Sequence, residues 1–172
     1  MYKKILIVAN VVKMHIMHFH IPTFKVLKDI GYEVHVCAKN DYQNKDECLI
    51  PYCDKYIDIS FDRSPVSTKN IKAYKQLKKL IIAEKYSIVH CHTPVPSVLA
   101  RLAIRNIKDN KPKVIYTAHG FHFYKGASLK NWFMFYPVEK YLSKYTDVLI
   151  TINIKKILKL LTLSLKLCRL SL

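Results

Sequence analysis

Short apolar runs rich in β-branched residues recur along the chain, and segments with helical spacing separate most of them. The runs cover Ile5–Ala9, Glu33–Ala38, Tyr56–Ser60, Ser87–Cys91, Lys113–Ala118 and Asp147–Ile152. Such runs are typical of strands buried on both faces of a parallel sheet. Strands that alternate with helices imply right-handed crossovers, so the predicted fold class is α/β, with a Rossmann-like, doubly wound, mostly parallel sheet.

The segments between the runs predict helices over residues 18–30, 69–84, 96–106 and 132–143, and a loop over residues 10–17. In the first helix, which Gly31 is expected to end, helical spacing relates Phe19, Phe24, Leu27 and Ile30. The second helix places its lysines opposite a predicted apolar face, which comprises Ile71, Tyr74, Leu77, Leu80 and Ile81. No G-x-G-x-x-G pattern follows the first strand, which disfavours an ordinary dinucleotide-binding enzyme.

The formal net charge of +17 suggests an anionic partner, which could be a nucleic acid, an acidic membrane surface or a phosphorylated substrate. The lysines of residues 69–85 and 125–144 fall on the solvent-facing stripes of predicted helices, so a solvated surface explains them as well. Peripheral attraction to an anionic membrane explains them equally. No nucleic-acid partner is predicted; such a partner would require affinity that falls steeply with salt.

The five cysteines follow no paired spacing, which favours a reducing compartment. The N-terminus lacks the pattern of a secretory signal, and no run of about 20 apolar residues could span a membrane. We therefore expect a cytoplasmic protein, and its basic surface allows peripheral contact at the inner membrane face.

Polar residues follow the carboxyl ends of four predicted strands, where a parallel sheet forms its ligand crevice. They are Asn10, His15 and His18 after the first strand, His92 and Thr93 after the fourth, His119, Gly120 and His122 after the fifth, and Thr151 and Asn153 after the sixth. Side chains of these types can hydrogen-bond a sugar or a phosphate, which makes them candidate substrate-binding residues.

His119 is the strongest catalytic candidate, because its strand ends there and an imidazole titrates near neutrality. Gly120 is expected to free the backbone for an unusual turn and to let a ligand approach the main chain. The alternative is a histidine whose ring is satisfied by backbone carbonyls inside a loop.

Histidine spacing alone invites a zinc interpretation, since His90 and His92 point to the same side of one strand and His122 lies three positions after His119. No carboxylate or C-x-x-C pair accompanies these histidines, so neither a metal nor a cofactor is predicted. Cys91 is expected to be buried with a raised pKa and not to act as a nucleophile.

Residues 2–153 resemble the N-terminal half of a family 4, retaining, GT-B fold glycosyltransferase of the bacterial kind that builds capsular, exopolysaccharide or related glycans. The most specific match is Val114-Ile-Tyr-Thr-Ala-His-Gly-Phe-His-Phe-Tyr-Lys-Gly126. Weaker matches occur in the expected order at residues 4–9, 18–22, 31–36, 88–94, 136–140 and 146–153.

The resemblance implies two Rossmann-like domains that face each other across a cleft, the first binding mostly acceptor and the second a nucleotide-sugar donor. It implies that His119 reaches the transferred sugar or its phosphate, and that His92, Thr93 and the loop from Asn10 to His18 line the acceptor side. It further implies front-face attack with retention of configuration, the leaving phosphate taking the acceptor proton, and generally no metal ion. The acceptor would be a cell-surface polysaccharide or a lipid-linked saccharide.

The chain departs from this family after Asn153, where a linker and a donor-binding domain are expected. Residues 154–172 are instead a low-complexity tail of leucine and lysine. We therefore expect a domain over residues 1–153, a non-family tail from a frameshift or truncation, and no activity for the chain on its own. The alternative is a non-catalytic module that binds a membrane or a partner protein.

Overall fold

The computed structural model describes residues 3–124 and 126–151, and within them six strands form one sheet. The strands are β1 (Lys3–Val11), β2 (Tyr32–Lys39), β3 (Lys55–Asp58), β4 (Ile88–His92), β5 (Lys113–Ala118) and β6 (Val148–Thr151). Their spatial order is β3-β2-β1-β4-β5-β6, and every neighbouring pair is parallel. The predicted doubly wound α/β fold is confirmed.

Helices cover both faces of the sheet. They are α1 (Met17–Phe19), α2 (Ile21–Asp29), α3 (Lys69–Glu84), α4 (Pro94–Ile104) and α5 (Leu129–Leu142). A π-helical turn spans Val12–Ile16, and 3₁₀ turns span Lys45–Glu47 and Ser143–Tyr145. Among the described residues, no helix is long and apolar enough to cross a membrane.

The loop predicted for residues 10–17 is wrong. β1 continues through Val11, and a helical turn follows at once with Val12 and Ile16 fully buried. The turn is stabilised from 28 residues away, because the backbone N–H of Lys13 donates to the Asp41 carboxylate at 2.6 Å. Met14 N–H donates to the other oxygen of the same carboxylate at 3.2 Å. An acidic side chain thus satisfies N–H groups that a helix start leaves without partners.

The helix predicted over residues 18–30 is divided at His20. Pro22 lies in the first turn of α2, where a missing N–H costs nothing. Phe24 is fully buried, but Phe19 precedes the break and is 61% exposed, and Ile30 caps the C-terminal end and is 64% exposed. Only the middle of the predicted apolar pattern therefore packs on the sheet.

α3 begins and ends where the pattern predicts. Leu77 and Ile81 are buried, whereas Ile71 is exposed. The first turn is held instead by Asn70, whose side-chain amide accepts from the backbone N–H of Asp62 at 2.9 Å and donates to the Ser64 carbonyl at 2.9 Å. A hydrogen-bonded amide at position 70 is therefore buried in the first turn, where the predicted apolar face placed Ile71.

β1 divides its side chains between the two faces of the sheet, as alternating strand residues must. Ile5, Ile7 and Ala9 join the apolar cluster beneath α2, while Leu6 and Val8 join the cluster beneath α3 and α4. The chain first moves outward from β1 to β3 and then returns to β4 on the other side of β1. β1 and β4 thus meet at the topological switch point, where open α/β sheets bind ligands beyond their carboxyl ends.

Candidate functional site

Three of the predicted site histidines lie together beyond the carboxyl ends of β1, β4 and β5. The ring centroids of His15 and His119 are 5.2 Å apart, and the ring of His92 lies 6.0 Å from the first and 6.2 Å from the second. The segments that follow these strands therefore converge at the switch point. His20, which the sequence analysis did not single out, joins them with its centroid 4.0 Å from that of His92.

A large cavity of about 670 Å³ opens beside these histidines. Its walls are mostly apolar and come from the start of α4, the segment after β5 and the inner side of α5, including Val95, Leu99, Phe121, Phe135 and Val138. Its polar lining includes Asn10, His15, Arg63, Thr93 and His122. Apolar walls with a few convergent polar groups are typical of small-molecule sites.

A smaller cavity of about 320 Å³, here called the histidine cavity, lies next to it. It is lined by Ile7, Phe19, His20, Thr23, Phe24, His90, His92, Thr117 and His119. The ring of His15 lines the large cavity and contacts the rings of His20 and His119, so it separates the two spaces.

Burial keeps these imidazoles uncharged near neutral pH. Desolvation, with a smaller contribution from the neighbouring imidazoles, lowers the pKa values of His15 and His20 to about 4. Burial lowers the pKa of His90 to about 4 and that of His92 further, and it also lowers the pKa of His119. The cluster therefore offers N–H donors and nitrogen lone pairs, and no positive charge, at pH 7.

Thr93 carries the backbone strain of the site. Its φ of 62° and ψ of 145° are unusual for a β-branched residue, and its hydroxyl donates to the His92 carbonyl at 2.6 Å. Gly120, in contrast, has no positive φ, so the expectation that it permits an unusual turn is wrong. A Cβ at Gly120 would meet nothing within 4 Å, so this backbone faces open space at the edge of the large cavity.

The remaining predicted residues have different surroundings. Asn10 is buried, and with its amide oriented to satisfy both ends it donates to the Phe61 carbonyl and accepts from Arg63 Nε, each at 3.3 Å. His122 is exposed, and its ring packs against that of Phe135 at a tilt of 34° with centroids 4.6 Å apart.

Two predicted positions lie away from the cavities. His18 is exposed, and its Nδ1 donates to the Lys13 carbonyl at 2.8 Å, so the structure does not bring it into the site. Thr151 pairs with Ala118 at the end of β6 and lines neither cavity. Asn153 and the tail of residues 154–172 lie outside the described residues.

Sequence reasoning missed Arg63 and the buried pair of Arg101 and Glu139. Arg101 forms two hydrogen bonds with the Glu139 carboxylate, at 2.8 and 3.0 Å, and Glu139 also lines the large cavity. A signal existed for this pair, since an arginine within the apolar segment Val98-Leu-Ala-Arg-Leu-Ala-Ile104 needs a buried partner. Cys91 is fully buried and its pKa is raised to about 12, as expected.

The sequence is similar to those of two bacterial proteins. The chain is 54% identical over 153 residues to a Bacillus subtilis (strain 168) protein named "Putative glycosyltransferase EpsD", covering 89% of this chain and 38% of that protein. It is 30% identical over 106 residues to the Escherichia coli UDP-Gal:alpha-D-GlcNAc-diphosphoundecaprenol alpha-1,3-galactosyltransferase, covering 58% of this chain and 25% of that protein. The chain thus spans well under half the length of either relative.

The fold is shared with an epimerase, an enzyme that catalyses a different reaction from glycosyl transfer. The UDP-GlcNAc 2-epimerase of Methanocaldococcus jannaschii superposes with a TM-score of 0.58 at 13% identity, over 89% of this chain and 40% of that chain. A likeness at such low identity establishes the Rossmann-like half of a GT-B fold and leaves the reaction undecided. Sequence decides the family: the glycosyl transferase 4-like model matches residues 4–153, a range that contains the whole described sheet from Lys4 onward and every histidine of the site. The chain therefore belongs to the glycosyl transferase 4-like family.

Proposed function

We propose that the chain supplies the acceptor-binding side of a glycosyltransferase that moves a sugar from a nucleotide-sugar donor to a cell-surface polysaccharide or a lipid-linked saccharide. The relatives support this reaction class, since one is named as a glycosyltransferase and the other acts, by its name, between UDP-Gal and a diphosphoundecaprenol-linked sugar. Because the chain spans 38% and 25% of their lengths, the full transfer reaction is proposed for an enzyme with both cleft walls.

The observation that carries the proposal is that the large cavity has a mostly apolar wall and a separate polar side. Aromatic and aliphatic side chains such as Phe121, Phe135 and Val138 form most of its wall and suit the apolar faces of a sugar or a prenyl chain. Arg63 lies at its polar side and can bind a diphosphate through several N–H groups. A lipid-linked saccharide has both kinds of surface.

His119 is proposed to contact the transferred sugar or its phosphate. It directly follows β5, lines the histidine cavity with part of its side chain open to solvent, and is uncharged at neutral pH because partial burial lowers its pKa. A neutral imidazole donates one hydrogen bond without demanding a counter-ion. His15, Thr93 and Gly120 then face the acceptor from the large cavity, and we propose that the leaving phosphate takes the acceptor proton with retention of configuration.

Acceptor binding can be tested on the full 172-residue chain. We expect saturable binding of prenyl-diphosphate-linked N-acetylglucosamine, observed through fluorescence of Trp132, whose ring packs 5.6 Å from that of cavity-lining Phe123. The substitution Arg63→Gln should weaken binding by roughly 10- to 100-fold, since a hydrogen bond to a charged group is worth about 1.5–3 kcal/mol. Arg105→Gln removes the same charge outside the cavity lining and serves as the matched control. Equal affinities for the two variants, or no saturable binding, would contradict the proposal.

The exposed face of α5 favours a second proposal, peripheral contact with an anionic membrane. Leu129 and Phe133 are 75% and 78% exposed, and Lys130 and Lys140 are exposed on the same helix. Apolar side chains beside lysines are the pattern of an interfacial helix. Because α5 also lines the large cavity, such contact would bring the cavity to the surface where lipid-linked acceptors lie.

Vesicle co-sedimentation tests this contact. The double substitution Leu129→Ser and Phe133→Ser should reduce partitioning onto phosphatidylglycerol vesicles at least about tenfold, because each buried side chain of this kind contributes roughly 1.5–3 kcal/mol. Leu49→Ser, at a residue that is 78% exposed in the β2–β3 connection, is the control and should leave partitioning unchanged. An equal effect of both changes, or none from the double substitution, would rule out α5 as the contact.

A further inference from the structure

The buried side chain of His92 has no hydrogen-bond partner among the described residues. The residue is 2% exposed, and neither of its ring nitrogens has a hydrogen-bond partner among residues 3–124 and 126–151. Buried polar atoms without partners are uncommon and cost on the order of 1–3 kcal/mol each. An unpartnered imidazole that faces other imidazoles therefore indicates a ligand that the side chains are arranged to hold.

Nitrogen atoms of three histidines converge at this point. One ring nitrogen from each of His15, His20 and His92 lies within 4.8 Å of the other two. The Nε2 atoms of His15 and His20 are already 3.2 Å apart. His15 lies in the turn after β1, His20 between α1 and α2, and His92 at the end of β4, so the fold brings the third histidine to the other two.

We propose that His15, His20 and His92 bind a divalent transition-metal ion, with Zn²⁺ as the best fit. Zinc binds imidazole nitrogen at about 2.0–2.1 Å, and tetrahedral geometry then separates two such nitrogens by roughly 3.4 Å. The His15 and His20 pair matches that separation, and His92 would need a side-chain shift on the order of 1 Å.

Ligand chemistry favours zinc over magnesium or calcium. Among the described residues that line the histidine cavity, none is acidic, and the hard cations require oxygen ligands. Imidazole suits Zn²⁺, Cu²⁺, Ni²⁺ and Fe²⁺.

The side chains around the three histidines leave space for a fourth ligand, and one of them, His90, packs against His92. The ring centroids of His90 and His92 are 4.1 Å apart with the rings tilted by 40°, and a 2.8 Å hydrogen bond between Nε2 and Thr117 Oγ1 holds His90 in place. The histidine cavity continues from His92 toward His119, where water or a ligand oxygen could complete the coordination. A bound metal would thereby tie the turn after β1 to the end of β4, independently of the proposed glycosyl transfer.

Metal binding can be measured on the full chain produced without a polyhistidine tag. After chelator treatment and dialysis, we expect one Zn²⁺ to bind per chain in competition with a chromophoric chelator. Co²⁺ used as a probe should give the visible absorption of a tetrahedral nitrogen-ligated ion and no thiolate charge-transfer band. His20→Gln and His92→Gln should each weaken binding about 100-fold or more, because loss of even a residue that only orients a ligand typically costs about 10- to 100-fold.

Three further variants make the result decisive. His15→Gln changes a half-buried ligand in a surface turn, so this variant should fold while losing zinc affinity. His18→Gln and His122→Gln change exposed histidines outside the trio and should bind zinc within about threefold of the unmodified chain. No zinc binding, undiminished binding by the trio variants, or a Co²⁺–thiolate band that assigns the ion to partly exposed Cys48 and Cys53, would overturn the proposal.

Discussion

Arg101 places a guanidinium group in the apolar layer between α4 and α5. It is 1% exposed, donates from Nε to the Ser97 carbonyl at 3.0 Å, and lies 4.4 Å above the Tyr116 ring. The Glu139 carboxylate pairs with its two terminal nitrogens and is itself largely buried. A buried ion pair of this geometry contributes little compared with apolar packing, but either half becomes costly when its partner is removed. Glu139 therefore fixes the position of α5, and hence one wall of the large cavity.

Removing the Glu139 charge should destabilise the chain strongly. In Glu139→Gln the guanidinium stays buried without a counter-charge, and we expect a loss of about 3–5 kcal/mol in the free energy of unfolding. Urea denaturation followed by circular dichroism measures this. Lys113→Met breaks the exposed pair of Lys113 and Asp147 and should change stability by less than about 1 kcal/mol. A change for Glu139→Gln as small as that of the control would show that Arg101 retains access to water.

At the scale of elements, prediction succeeds where the determinants are local. α3 is recognised at both ends because its apolar and basic residues alternate with helical periodicity over 16 residues. The strands are recognised because each is centred on a short, mostly apolar run. The turn after β1 is missed, since the Asp41 carboxylate that stabilises it comes from beyond the end of β2. No local sequence pattern indicates a hydrogen-bond partner that only the tertiary fold brings close.

The same distinction applies to the site. His119 and Thr93 are found from the sequence because a parallel sheet gathers the residues that follow its strands. His20 is missed as a member of the cluster, because it follows a helical turn whose presence depends on Asp41. Arg63 is missed because it belongs to the long connection before α3, which reaches the cavity only through contacts such as that with Asn10.

At the scale of the whole molecule, the described residues form one parallel sheet with two adjacent cavities beyond the carboxyl ends of its central strands. Among the described residues that line the two cavities, Arg63 is the one arginine or lysine, and the buried imidazoles of the cluster are uncharged at neutral pH. A nucleotide-sugar carries a diphosphate, and enzymes that transfer its sugar stabilise the charge on the departing phosphate and exclude water. On the function proposed above, these residues would position an acceptor and, without a bound metal ion, offer little to hold such a donor.

We therefore expect the 172-residue chain to bind an acceptor without transferring a sugar to it. Incubation with UDP-Gal and N-acetylglucosamine-diphosphoundecaprenol, followed by mass spectrometry, should show no product above the protein-free rate. The full-length Escherichia coli galactosyltransferase, whose name specifies these substrates, shows that the assay detects transfer. Turnover would mean that this chain alone suffices for donor binding and catalysis. Absence of turnover together with Arg63-dependent acceptor binding would show that this domain recognises the acceptor and does not activate the donor.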